Sequence, residues 1–288
     1  MNRGEPHALE DLARSVRRWI PHPLRVELAR ARRWPRWLIE APRFARPRGG
    51  DPWDHVLARH RSPLRRPGTS AEPRLQAGKE RNVALVAARL DRRVIAPGCV
   101  LSYHHTVGRP SHARGFAAGL ELHDGTLAEG LGGGACQVAN LLYYLALIGA
   151  MNIVERHRHT LDLFPDSDRR VPFGCGATVF YNWADLRFSN PLDVPVVLRL
   201  AVDDHELIGE LRTATALDLR TDVYEVEHRF VERSGAIWRE NRIRRRIARA
   251  SDGAVLVDHE VARNAGQIAY ELPDDVVVEH RSAVRGTA

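Results

Sequence analysis

The stretch of the chain best suited to chemistry is Gly130-Leu131-Gly132-Gly133-Gly134-Ala135-Cys136-Gln137-Val138. A run of glycines enters an apolar segment of helical character, and Cys136 and Gln137 open that helix. A helix N-terminus carries unpaired N–H groups and a partial positive charge, which favours thiolate over thiol. Glycines let a substrate backbone approach closely and supply positive φ. Read as an acyl-transfer site, the pattern makes Cys136 a nucleophile. The amides of Gly132, Gly133 and Gly134 and the side chain of Gln137 would then hold an oxyanion. The same residues also fit a tight glycine turn with Cys136 as a small buried apolar side chain. A P-loop does not fit, because its Lys-Ser/Thr completion is missing.

A cysteine nucleophile needs a base. The candidates follow the helix in Glu155-Arg156-His157-Arg158-His159. On a strand, His157 and His159 share one face. A strand running back antiparallel to the helix returns a histidine to the helix N-terminus, and His159, further along, is the preferred base. Asp185 or Asn190 is placed to orient it, although either residue also suits a strand end or turn. The two histidines also make half a metal site, and with Cys136 three soft or borderline ligands. No nearby Asp, Glu or Cys pair completes the set, so neither a metal nor any other cofactor is expected. The three cysteines (Cys99, Cys136, Cys175) show no CxxC spacing, which points away from a disulfide framework and toward a reducing compartment.

The elements that must position these residues are legible from periodicity. Residues 136–151 read as a strongly apolar helix, and 81–93 as an amphipathic one through Val83, Val86, Ala87 and Leu90. Residues 108–134 read as a glycine-rich loop. From 152 onward, alternating or β-rich runs dominate, among them 152–163, 177–181, 185–188 and 194–202, with Ser251-Asp252-Gly253 as a hairpin turn. The expected fold is α+β: a nucleophile-bearing helix packed on antiparallel sheet, with a mostly β C-terminal half and a helical N-terminal arm. The expected boundaries are an arm over 1–45, a Pro/Arg/Gly-rich linker or wrap over 46–78, the main domain over 79–270 and a tail over 271–288.

Charge divides the 288 residues unevenly. The net charge is +7, yet residues 1–70 hold 16 Arg against 7 acidic residues, while the remainder is slightly acidic. Of the six tryptophans, Trp19, Trp34, Trp37 and Trp53 fall in this first quarter. Leu9, Leu12, Val16 and Trp19, then Leu24, Leu28, Ala31 and Leu38, recur at helical spacing. Such an arm either packs its apolar face on the domain or lies at an anionic membrane surface. A nucleic-acid partner is not expected, because the basic residues form a separate arm and no recognition motif accompanies them. No apolar run reaches the ~20 residues of a membrane span. Arg17-Arg18 is followed by Trp19-Ile20-Pro21-His22-Pro23 in place of an apolar segment. The expected location is therefore cytoplasmic, with peripheral contact at the inner membrane face.

Several motifs together resemble the VanW family, named from glycopeptide-resistance gene clusters. They are Val94-Ile95-Ala96-Pro97-Gly98, Leu101-Ser102-Tyr103 through Thr106-Val107-Gly108, and Gly132 through Val138. Ile153 through His159, Ala177-Thr178-Val179 and Asp185 through Asn190 continue the likeness, as does the tail from Arg239-Glu240-Asn241 to Asn264. Some members of the family are implicated in peptidoglycan cross-linking through the motif cysteine. The resemblance implies Cys136 as nucleophile, His157 or His159 as base, and a peptidoglycan-type peptide or precursor as partner. The alternative is a non-catalytic module that binds such a peptide. Two positions depart from the family pattern: Gly176 stands where an Asp usually precedes Ala-Thr-Val, and His104 where an Asn follows Ser-aromatic. The first change removes a carboxylate suited to orienting a histidine or binding a substrate amine.

Overall fold

The computed structural model describes residues 22–47, 52–65, 72–123, 126–158, 161–162, 171–273 and 275–280. The chain begins with α1 (His22–Ala31), α2 (Trp34–Glu40), β1 (Arg46–Pro47), β2 (His55–Pro63) and α3 (Pro73–Leu90). It continues through β3 (Arg93–Ile95), β4 (Val100–Ser102), α4 (Tyr103–Val107), β5 (Ala118–His123) and β6 (Thr126–Leu131). Next come α5 (Ala135–Ile148), β7 (Asn152–Glu155), β8 (Leu161–Asp162), β9 (Arg187–Ser189) and β10 (Val196–Val202). The C-terminal part is β11 (Glu206–Thr213), β12 (Arg220–Arg233), β13 (Ala236–Ala248), β14 (Val255–Ile268) and β15 (Val278–His280). Strands predominate and the sheets are largely antiparallel, so the fold is α+β.

Among the described residues the strands form four sheets. One runs β1-β3-β10-β11-β2, with every neighbouring pair antiparallel. A second runs β15-β12-β13-β14-β8, a long antiparallel meander edged by two short parallel strands. A small β4-β9-β7 sheet and the β5-β6 hairpin complete the set. Helix α5 lies at the centre. Val138, Ala139, Leu141, Leu142, Tyr143, Leu145, Ala146 and Leu147 are all buried, so the helix is apolar nearly all round, as a helix enclosed on every side must be. Leu141 and Leu145 settle over Gly209 of β11, where a Cβ would stand 2.4 Å from the one and 2.5 Å from the other.

Several boundaries differ from the sequence reading. The presumed linker holds β1, β2 and the start of α3, and β2 is a full edge strand of the first sheet. Its register is held by residues distant in the chain, with Arg59 bonded to Glu210 and Arg61 to Glu206. Helix α3 starts at Pro73, eight residues before its expected start, because proline suits the first helical turn where its missing N–H costs nothing. The glycine-rich loop contains the β5-β6 hairpin. Residues 177–181 make only isolated bridges in place of a strand, and the presumed tail contributes β15. The turn over 251–253 is as read, with Gly253 at φ 74° and its N–H donating to Arg249 O. Of the arm, residues 1–21, with Leu9, Leu12, Val16 and Trp19, lie outside the described residues. Among the described residues no helix is long and apolar enough to cross a membrane.

Helix α3 meets the hairpin backbone to backbone. A Cβ at Gly78 would stand 1.8 Å from Ala118 O. Gly→Ala within a helix ordinarily stabilises by about 1 kcal/mol. Here the sign should reverse: Gly78→Ala is expected to lower the urea midpoint, because a backbone carbonyl cannot move aside as a side chain would. An unchanged or raised midpoint would show that the two elements separate freely.

Candidate functional site

The glycine run is shaped by packing as much as by conformation. Gly132 and Gly134 take φ 86° and 93°, values that L side chains rarely adopt. Gly133 has no such φ, but a Cβ there would stand 2.4 Å from both the carbonyl carbon and the oxygen of Gly119 on β5. Asn82 of α3, fully buried, closes the junction. Its side-chain amide donates to Ala117 O and Gly133 O at 2.9 Å each and accepts from Ala117 N at 2.9 Å. Gly132 and Gly133 are buried and the Gly133 carbonyl is already engaged, so this part of the run braces the helix start.

Cys136 stands in the first turn of α5 and is half-buried. Its Sγ–H points to Val179 O at 3.8 Å. Below it, Tyr103 Oη donates to Ala135 O at 3.2 Å, tying α4 to the first residue of α5. Burial pushes the Cys136 thiol up, and the Glu121 carboxylate adds in the same direction. The bond to Val179 O acts the other way, and loss of hydration outweighs it. Tyr103 lacks an obvious chemical signature in the sequence and was not among the expected site residues.

Gln137 has a different task from oxyanion binding. Its amide N–H groups donate to Ser62 Oγ at 2.9 Å and Pro63 O at 2.7 Å, anchoring α5 to the end of β2. Its backbone N–H closes on Gly134 O at 2.9 Å. With both side-chain hydrogens committed, Gln137 holds no free donor for a substrate.

His157 bridges to Thr178, whose N–H donates to His157 O at 2.8 Å. Residues 178 and 179 thus touch both the histidine segment and the Cys136 thiol. His157 Nε2 pairs with Glu155 Oε1 at 2.9 Å. Asp185 does not meet this ring. It is fully buried, accepting Ser102 Oγ–H at 2.5 Å and His104 N–H at 2.9 Å. The carboxylate at the histidine is Glu155, two residues away on the same strand end. His159 lies outside the described residues. Asn190 stands apart from the histidine as well, donating to Ile95 O and Val194 O at 2.8 Å each. Among the described residues no three His, Cys, Asp or Glu side chains come together as metal ligands.

Glu155 gathers more partners than the histidine alone. Arg33 of the arm grips both its oxygens and also donates to Trp183 O at 2.7 Å, while Asp185 N donates to Oε1 at 3.1 Å. Burial alone would raise this carboxyl. Arg33, His157 and the Asp185 amide outweigh it and hold the group at about 2.

Comparison with known proteins fits this arrangement. The family described as "VanW like protein" matches residues 78–212, a span that contains the glycine run, Cys136 and the Glu155–His157 pair. The chain is 26% identical over 204 residues to the vancomycin B-type resistance protein VanW of Enterococcus faecalis, covering 71% of this chain and 74% of that protein. Residues 78–212 are therefore a VanW-like domain. It is also 31% identical over 121 residues to the uncharacterized protein YoaR of Bacillus subtilis, covering 42% of this chain and 38% of that protein. No solved structure matches it significantly.

The two departures from the VanW pattern have local answers. Gly176 O accepts from Arg156 Nε at 2.9 Å, and a Cβ at Gly176 would stand 2.8 Å from Asn140 Oδ1. Arg156 also donates to Gly174 O and Asn264 Oδ1 and lies over the Tyr143 ring, so carbonyl oxygens surround it where the family Asp would offer a carboxylate. His104 is buried, with Nε2–H donating to Ala184 O at 2.9 Å, and burial pushes its imidazole toward the neutral form.

Two predictions follow from this electrostatics. Because Glu155 is depressed to about 2, its contribution is complete above its ordinary value near 4.5 and is lost as pH falls toward 2. That contribution is on the order of 3 kcal/mol. Wild-type urea stability should therefore drop between pH 5 and pH 2 (roughly the window set by linkage) more steeply than that of Glu155→Gln, and parallel pH profiles would remove Glu155 from this role. The Cys136 thiol should titrate above the usual ~8.5 when iodoacetamide alkylation is followed against pH in a Cys99→Ser/Cys175→Ser background. A midpoint below that value would show that the helix terminus prevails.

Proposed function

We propose that this VanW-like protein is a cysteine-dependent acyl-transfer enzyme acting on peptidoglycan stem peptides or their precursors. The carrying observation is the half-buried Cys136 in the first turn of α5, joined through residues 178–179 to a histidine that has its own carboxylate. The cell-wall substrate class is supported by the similarity to the E. faecalis vancomycin-resistance protein.

In the proposed cycle His157, oriented by Glu155, accepts the Cys136 thiol proton. Sγ forms a bond to a peptide carbonyl carbon, the C–N bond breaks, and the imidazolium returns the proton to the departing amine. An incoming amine or water then gives its proton to the imidazole as it takes the acyl group, and the thiol is restored. The developing oxyanion faces the start of α5 at Cys136, because the Gln137 side chain is committed and the Ala135 and Gln137 N–H groups donate to Gly132 O and Gly134 O. A thiol raised by burial suits such a cycle, because it stays protonated until the base acts.

The raised thiol is equally compatible with the second reading, a non-catalytic module that binds cell-wall peptide. The readings separate by intact-mass spectrometry after incubation with a muramyl tetrapeptide. Acyl transfer predicts an adduct in wild type that vanishes in Cys136→Ala and falls at least about tenfold in rate for His157→Ala, general-base catalysis being typically worth 10²–10⁴-fold. Peptide binding with no adduct, or an adduct that survives Cys136→Ala, would overturn it.

A further inference from the structure

The arm has two unlike faces. One docks: Arg33 grips Glu155, Arg30 Nε donates to Tyr181 O at 3.3 Å, and Arg30 O accepts from Asn182. On this side Trp37 meets the His105 ring edge-on at 5.7 Å, and Phe44 stacks on the same ring at 4.1 Å. The other face is apolar and open. Trp34 is 60% exposed, Leu38 78% and Ile39 81%, and Leu24 and Leu28 of α1 are about half exposed. Residues 33, 37 and 40 of α2 turn toward the domain, while 34, 38 and 39 turn away, as helical spacing requires. Burying two aliphatic side chains would ordinarily stabilise a helix, so their near-complete exposure calls for an occupant.

Charge identifies the occupant. The only acidic residues of the described arm are Glu27 and Glu40. Glu27 is taken by Arg30 and Arg109, and Glu40 by Arg36 and Arg187. Arg32, Arg43 and Arg46 are exposed and, among the described residues, pair with no carboxylate. A second copy of the chain would bring the same surplus of positive charge to the contact. A nucleic acid would leave Leu38 and Ile39 in water. An anionic lipid surface meets both needs, with phosphates for the arginines, an acyl boundary for the aliphatic side chains and an interfacial level for Trp34.

We infer that α1 and α2 form an anionic-lipid docking surface, with Trp34, Leu38 and Ile39 inserted at the interface and Arg32, Arg43 and Arg46 on the headgroups. On the docked face Arg33 also holds Trp183 O, and the Trp183 ring is itself exposed (63%). The inference does not depend on the chemistry of Cys136.

Sedimentation of the full chain with vesicles tests it. Phosphatidylcholine vesicles containing phosphatidylglycerol should carry the protein down at low salt, whereas pure phosphatidylcholine should not. Leu38→Glu/Ile39→Glu should lower binding at least about tenfold. Arg32→Gln/Arg43→Gln/Arg46→Gln should lower it about fivefold for each arginine removed. These side chains are exposed, so the melting temperature should hold in both variants, and the arginine variant stands alone should the acidic one unfold. Full retention of binding by either folded variant, equal binding to neutral vesicles, or no binding by the wild type would overturn the inference. A concentration-dependent dimer lost in Leu38→Glu/Ile39→Glu, without vesicle binding, would assign the face to a second copy instead.

Discussion

The position of Cys136 depends on backbone segments that approach where no Cβ fits. Gly78 of α3, Gly119 of β5 and Gly133 before α5 converge, and any side chain at these points would collide with a carbonyl or Cα atom of a neighbouring segment. Asn82 makes the contact specific by satisfying Ala117 and Gly133 together. Buried amide and carbonyl groups without partners are costly, so a displaced hairpin would leave several of them stranded. The glycine motif is thus a structural joint first. Its chemical meaning follows from the joint, because it holds the start of α5 and the thiol on it in one place.

The electrostatic centre is Glu155. One carboxylate serves Arg33 from the arm, His157 on its own segment and the Asp185 amide from the turn that follows Trp183. This couples three separate stretches of chain. It gives the arm a structural task, since α2 cannot leave without exposing a half-buried ion pair. It also links the histidine to the arm, because Arg33 and His157 share the same acceptor. A buried carboxylate with three donors is favourable where the same group unpaired would be a liability.

The thiol shows two effects of opposite sign. Helix-terminal N–H groups favour the anion, and loss of water disfavours it. Cys136 is covered enough for desolvation to prevail, and Glu121 adds to it. The thiol faces the Val179 carbonyl at 3.8 Å.

The sequence alone determined the features that are local in cause. The strongly apolar stretch from Cys136 onward specifies α5, found at Ala135–Ile148, and the Ser251-Asp252-Gly253 turn and the positive φ at Gly132 and Gly134 follow from what glycine permits. The motif order also marked Cys136 together with His157 or His159, His159 being preferred, and His159 lies outside the described residues. Strand β2 was not legible inside an Arg- and Pro-rich stretch, because its arginines become strand-compatible only beside Glu206 and Glu210, about 150 residues away. The carboxylate that meets His157 was not legible either. Asp185 and Glu155 are both plausible by type, and packing alone buried Asp185 under Ser102 and His104 and left Glu155 at the ring. Gln137, whose type suggests a donor for substrate, was claimed by the end of β2. Backbone preference and periodicity act over a few residues and can be read in order along the chain. Burial, strand pairing and the choice among competing hydrogen-bond partners are set by residues far apart in that order, so only the tertiary structure decided them.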